Sequence, residues 1–389
     1  MNTVVDTNRR EHLRTERRHV DVLPQEKKIY QPKSRTPDLI DLHLNGLRDP
    51  AVNLDADFWK GPTNNQMLNL RRYLYRHGVK KFLPTIITGS KAETERKLRI
   101  IATHQEKHPN GAENMADIAG VHIEGGYISR KGSHDVKQIT ALGPQVVEDF
   151  GQKFPGLIKL WTICPLVDKD GEHVKSQRKH GITPSYGHSN ANYDEAMEAF
   201  EKHGVKLVTH WGNCMPFFMK EPIEGDREKR SNLEPDFNRE DPQAEDWEKL
   251  EANLSQDSEL RARAGLAKAA YDRDDVYMMA ICGSDAKCKT VAGDPTEGDY
   301  RDYHISPKLI RKLADKERLI LVTDAVAEGS PHTSESSAQQ GRGYKLIGGM
   351  SALDRHAWYN AIEIAGLKAQ EVVRAAIELP GKVLQGLIG

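Results

Sequence analysis

The stretch ADIAGVHIEGGYISRKGSHD, residues 116–135, decides how the chain is read. An apolar run ends on Glu124, the chain turns through Gly125 and Gly126, and His134 follows in the same loop. A carboxylate that closes a hydrophobic strand is costly unless something positive meets it. A capped turn, an ion pair and a metal are the candidate answers.

Similar short runs recur on both sides of this one. They are DLIDLHLNG (38–46), KKFLPTII (80–87), LIKLWTICP (157–165), GITPSYGHS (181–189), KLVTHWGN (206–213), VYMMAICG (276–283) and RLILVTDA (318–325). With 116–125 they make eight candidate strands, and their near-continuous apolar character fits parallel strands buried on both faces. Strand five carries Gly181, Pro184 and Gly187, which weakens its strand character. The segments between read as helices. NNQMLNLRRYLYRHG places Leu70 and Leu74 at helical spacing and stops at Gly78. ANYDEAMEAFEKHG opens with Asn192 and Glu195 in capping-box positions, and SPKLIRKLADK puts Pro307 at a first helical position. Eight such alternations predict an α/β fold, a (β/α)8 TIM barrel, with a doubly wound sheet as the alternative.

The chain of 389 residues is long enough for one such barrel or for two ordinary domains. A net charge of -1 gives no general pull toward nucleic acid or an anionic membrane. Four cysteines, Cys164, Cys214, Cys282 and Cys288, show no CxxC spacing, which suggests reduced thiols and a cytoplasmic setting. No signal peptide is evident, and no apolar run approaches the roughly 20 residues of a membrane span. Residues 1–36 are charged and lack apolar periodicity, so they read as a flexible leader ahead of a barrel at 37–389. Residues 223–262 read as a solvated insertion or a helical lid, and 283–300 as a second insertion.

Chemistry in a barrel gathers where strands end. Glu124 ends strand three, His188 strand five, His210 strand six and Asp324 strand eight, while strand one carries His43. One carboxylate and two imidazoles at one mouth form a ligand set for Zn²⁺ or another divalent metal, with positions left for water and substrate. A single histidine at a strand end is more often a satisfied polar group; the combination carries the metal reading. Asp324, across the mouth, is then the natural general base, its plainer role being an N-cap.

These segments resemble the N-acetylglucosamine-6-phosphate deacetylases of the amidohydrolase superfamily, from about Asp38 to the C-terminus. The resemblance runs through IDLHLNG, GVKKFLPTIITGS, GVHIEGGYISRKGSHD, YGHSNANYDEA, THWGNCMPFFMKEP, HISPKLIRKL and LVTDAV. It implies that Glu124, His188 and His210 hold the metal, Zn²⁺ in the first place, with Fe²⁺, Mn²⁺ or Co²⁺ as others. It implies that Asp324 is the catalytic base and acid, and that His134 polarises the amide carbonyl. Asn213, Cys214, Lys220 and His304 fall at substrate-contacting positions. His43, with Asn45 where dinuclear relatives carry a second histidine, would serve a second metal or support a single one. The implied reaction is hydrolysis of an N-acetyl amide on an amino sugar, by a homodimer.

The departures from the family concern how substrate is read. The leader is too short and charged to build the family's small flanking β-sandwich. Cys214 stands where alanine is usual, Gly126 where proline is common, and Lys220 where an arginine grips phosphate, without that residue's bidentate fork. A related amidohydrolase acting on another N-acyl or cyclic amide, and a catalytically silent binding barrel, are the rival readings.

Overall fold

The computed structural model describes residues 38–49, 54–130, 132, 134–215, 264–282, 305, 307–327, 361–362 and 365–389. The leader, the two insertions, Lys220 and His304 lie outside the described residues. So does Cys288.

All eight expected strands form. They are β1 (Leu39–Leu44), β4 (Val79–Ile87), β6 (Val121–Glu124), β7 (Ile158–Ile163), β8 (Thr183–Tyr186), β9 (Leu207–Val208), β10 (Tyr277–Ile281) and β11 (Leu319–Val322). The third was read as one continuous run, but it breaks at Gly120 into β5 (Asp117–Ile118) and β6. Each strand pairs in parallel with the next, in the order β1-β4-β6-β7-β8-β9-β10-β11. The ring closes between β1 and β11, where Asp324 N–H donates to the His43 carbonyl and Asn45 N–H to the Ala325 carbonyl. A parallel bridge pairs Leu44 with Ala325.

Pro184 sits inside β8 because of where its missing donor points. Gly187 N–H bonds Ile163 on the β7 side, so by twofold alternation Pro184 faces β9. There the ladder begins only at Tyr186 opposite Val208, and no N–H is required of Pro184. The Asn192–Glu195 capping box is present, with Asn192 accepting from Glu195 N–H and Glu195 from Asn192 N–H. Pro307 opens its helix as expected. A feature absent from the sequence reading is an antiparallel ribbon directly after β1, formed by β2 (Gly46–Asp49) and β3 (Leu54–Asp57).

The barrel interior is layered. Leu83, Leu160, Leu207, Met279 and Ile320 form an apolar layer toward the strand N-termini, closed by Leu379 and Val383 of the C-terminal helix. One step nearer the strand C-termini lies a polar layer. His122 Nε2 meets Thr162 Oγ1 at 2.7 Å, and Thr209 Oγ1 meets both Thr162 Oγ1 at 2.6 Å and Ser185 Oγ at 2.7 Å. These groups are buried and mutually satisfied, as an interior polar layer must be.

Asp41 fastens the seam. Its carboxylate accepts from Thr323 Oγ1 at 2.6 Å, from Thr323 N–H at 3.3 Å and from His43 N–H at 3.1 Å. Replacing Asp41 by Ala strips the acceptor from these three buried donors. The expected loss is roughly 2–4 kcal/mol of unfolding free energy in urea melts, since an unsatisfied buried donor costs about 1–3 kcal/mol before relaxation. A loss under about 1 kcal/mol would show that the seam does not depend on Asp41.

Candidate functional site

Glu124 is the last residue of β6, its carboxylate pointing into the mouth of the barrel and only 4 % exposed. His188, His210 and Asp324 each lie two residues past the end of their strand and adopt left-handed backbone, with φ of 46°, 29° and 49°. For residues with a Cβ this conformation costs on the order of 1–3 kcal/mol each and concentrates at functional sites. Here it turns three side chains from the strand direction onto the barrel axis.

Three lone-pair donors meet at one point. Glu124 Oε1 lies 2.9 Å from His188 Nε2 and 2.5 Å from His210 Nε2, and the two Nε2 atoms are 3.1 Å apart. The tautomers follow from the far side of each ring. His188 Nδ1 donates to the Arg130 carbonyl at 2.8 Å, and His210 Nδ1 donates to the Asn213 carbonyl at 3.1 Å. Both Nε2 atoms in their neutral form therefore present electron pairs to a carboxylate oxygen, an arrangement that repels unless a cation lies among them.

His134 has the opposite polarity. Its Nδ1 accepts from Thr88 N–H at 3.3 Å and from the Thr88 hydroxyl, which in turn accepts from Gly126 N–H. That leaves the proton on Nε2, 3.8 Å from Glu124 Oε2. Burial holds this imidazole well below its ordinary pKa, so it stays a neutral N–H donor. Gly125 makes the contact possible: a Cβ there would lie 2.7 Å from Thr88 Oγ1 and 3.1 Å from His134 Cε1. Gly126, at φ 77°, could not be a proline, whose ring fixes φ near −65°.

His43 completes the cluster. Its Nε2 stands 3.3 Å from Glu124 Oε2 and 3.2 Å from Asp324 Oδ1, and among the described residues neither buried ring nitrogen meets the geometry of a directed hydrogen bond. Burial alone would depress the ring, yet the Glu124 and Asp324 carboxylates push it up to about 9. Burial pushes Asp324 up to about 8, against the pull of His43. Burial would also raise Glu124, but His43, His188 and His210 hold it well below the usual carboxylate range.

Together these observations fit a divalent cation. Two groups of buried donors suit one: His43, Glu124 and His210, and Glu124, His134 and His188, each set within 4.8 Å. Of these, His188 and His210 have the tautomer a metal needs, beside the Glu124 carboxylate. His134, with its proton on Nε2, does not.

One pocket is lined by Glu124, His134, His188, His210, Asn213, Cys214 and Asp324, so seven of the residues singled out from the sequence share it. Cys214 is half-buried, with left-handed backbone at φ 54°, its thiol reaching Asn213 Oδ1 at 3.6 Å and bearing on the His188 ring. Asn45, noted beside His43 in the sequence, also lines the pocket; Trp59 and Ile87, and Thr88 behind His134, were not expected at the site. Reading every strand end for donors as well as ligands would have found Thr88, which directly follows β4.

No family model matches the chain. It is 32% identical over 371 residues to an N-acetylglucosamine-6-phosphate deacetylase of Haemophilus influenzae, covering 91% of this chain and 78% of that relative. Its fold matches the crystal structure of the Pasteurella multocida N-acetylglucosamine-6-phosphate deacetylase, with a TM-score of 0.62 over 90% of this chain and 77% of that one, at 20% identity. A variant of the Mycobacterium smegmatis deacetylase, solved in complex with N-acetyl-D-glucosamine-6-phosphate, matches with a TM-score of 0.60 over 91% of this chain and 81% of that one, at 18% identity.

The cation requirement can be checked directly. Glu124→Gln keeps the shape and removes the charge, so after dialysis against a chelator-free buffer the variant should hold far less divalent metal by mass spectrometry than the parent. Chelation should lower the parent's Tm by several degrees, since a ligand bound only to the folded state stabilises it, and should leave the variant's Tm nearly unmoved. Equal Tm shifts in both proteins would rule Glu124 out as a ligand.

Proposed function

Because this chain belongs to the N-acetylglucosamine-6-phosphate deacetylase family, we propose that it hydrolyses the N-acetyl amide of an amino sugar, N-acetylglucosamine-6-phosphate or a close relative, to acetate and the free amine. The observation that carries this reading is the split polarity of the imidazoles in one pocket. His188 and His210 offer electron pairs beside Glu124, while His134 offers a proton. An amide carbonyl needs both kinds of group.

In this reading Glu124, His188 and His210 hold one divalent ion, for which Zn²⁺ suits the nitrogen-rich set. When bound, such an ion supplies Lewis acidity toward the amide oxygen and toward water. His134 Nε2–H is placed to donate to the carbonyl oxygen as charge builds there, a contribution of about 2.7–4 kcal/mol where single donors of this kind have been removed. Asp324 takes the proton of the attacking water and returns it to the amine nitrogen as the C–N bond breaks. An oxygen with a raised proton affinity suits both halves of that exchange, and burial of Asp324 supplies it. Asn213 and Cys214 line the same pocket on the substrate side.

A cytoplasmic setting is part of the same proposal. Cys164, Cys214 and Cys282 are free thiols, and among the described residues no helix is long and apolar enough to cross a membrane. The resemblance also carries a homodimer, which sedimentation would check. A second reading, an amidohydrolase for another N-acyl amide, draws on Cys214: a thiol in place of alanine alters the pocket wall.

Purified protein supplied with Zn²⁺ should release acetate from N-acetylglucosamine-6-phosphate. Asp324→Asn should lose at least about a hundredfold in kcat, the scale of a positioned acid–base group, while the far-ultraviolet circular dichroism stays unchanged. His134→Gln should lose roughly as much in kcat with little change in KM. Turnover of other N-acyl compounds with none on the sugar phosphate would favour the second reading. Metal-free protein that binds sugars without turning them over would favour a silent barrel.

A further inference from the structure

We propose that Trp59 and Asn45 are positioning residues for Asp324: the Trp59 indole fixes which way the Asn45 amide faces, and that amide in turn fixes which oxygen of Asp324 is free to move a proton. This rests on Asp324 being the base, as read above. Asn45 Nδ2 donates to Asp324 Oδ1 at 2.5 Å, and Trp59 Nε1 donates to Asn45 Oδ1 at 2.9 Å.

The chemistry of the three groups allows only one orientation. An indole N–H can donate but never accept, so the Asn45 atom facing Trp59 has to be the carbonyl oxygen. The NH₂ group is thereby turned to the carboxylate. Without the indole, the Asn45 amide could flip and set its oxygen against Asp324, an acceptor facing an acceptor. With it, Oδ1 is engaged by Asn45 and has His43 Nε2 3.2 Å away, which leaves Oδ2 for substrate and water.

The ribbon after β1 holds this relay in place. Phe58 N–H donates to the Asn45 carbonyl at 2.9 Å, and Trp59 N–H to Asp57 Oδ1 at 2.9 Å. The ring of Trp59 is 8 % exposed and packs with Ile87 and Val326, so it has little freedom to swing away. Trp59, just beyond the ribbon, thus meets the base through the Asn45 amide.

The test uses the metal-loaded enzyme. Trp59→Phe keeps the ring and removes the N–H, and Asn45→Ala removes the amide. Each should lower kcat for acetate release about tenfold, which is about 1.4 kcal/mol of barrier, with KM unchanged within about twofold. The double variant should lose no more than Asn45→Ala alone, because both changes cut one chain. Losses that add, or that fall on KM, overturn the proposal.

A second measurement does not need turnover. With ¹⁵N-labelled tryptophan, the indole signal missing from Trp59→Phe identifies Trp59. In Asp324→Asn that signal should shift and exchange faster with solvent. An indole signal that does not move overturns the proposal, whatever the activity. If the parent enzyme releases no acetate from any N-acetyl amino sugar, the functional reading fails, and the indole signal still decides the linkage.

Discussion

Everything at the mouth of this barrel follows from one buried negative charge. Glu124 ends a strand in the interior, 4 % exposed, and an ionised carboxylate there is tolerable only if positive charge surrounds it. His43, His188 and His210 face it, and His134 stands at the edge of the group. Two of these rings are pinned through Nδ1 to backbone carbonyls, so they cannot turn a proton toward the carboxylate except by becoming cations. The His188 ring shows the tension: burial lowers its proton affinity, but Cys214 and Glu124 raise it well above the ordinary value. A proton and a metal ion compete for the same role in such a cluster, and the geometry of three converging electron pairs favours the ion.

Much of this was legible in the sequence because both faces of the strands are buried. Short apolar runs gave all eight strands, and the polar residues just beyond them gave Glu124, His188, His210 and Asp324. Pro184 looked like an argument against its strand and is not one, since its missing donor faces a neighbour that has not yet begun to pair. The Asn192–Glu195 cap could be read because capping is local and its spacing is fixed. Of the residues singled out, Lys220 and His304 fall outside the described residues, and so does the charged leader.

What could not be read depends on contacts distant in sequence. The ribbon strands, Gly46–Asp49 and Leu54–Asp57, are only four residues each, too short for the alternation in LDAD to be read as a strand. The ribbon forms because Asn45 and Ala325 close the barrel beneath it and Phe58 bonds back to Asn45. Nothing local in the sequence says that the Trp59 N–H meets Asn45. Thr88 looks like a strand end with no ligand chemistry, yet it decides which nitrogen of His134 carries the proton. The tautomer of a histidine is set by its partners across space, which no periodicity encodes.

The left-handed backbone at His188, His210 and Asp324 separates two kinds of information in the chain. Within a strand, a side chain's direction is dictated by its neighbours through twofold alternation, so changing a functional residue there disturbs the barrel. Past the strand end, one unusual φ breaks that rule and lets the side chain be aimed independently. Glu124, opposite Thr162, and His43, inside β1, are bound to the sheet. The mouth thus has two anchored corners and three adjustable ones, and the latter can be retuned by changes confined to turns. A scaffold organised this way can keep its architecture while its chemistry drifts.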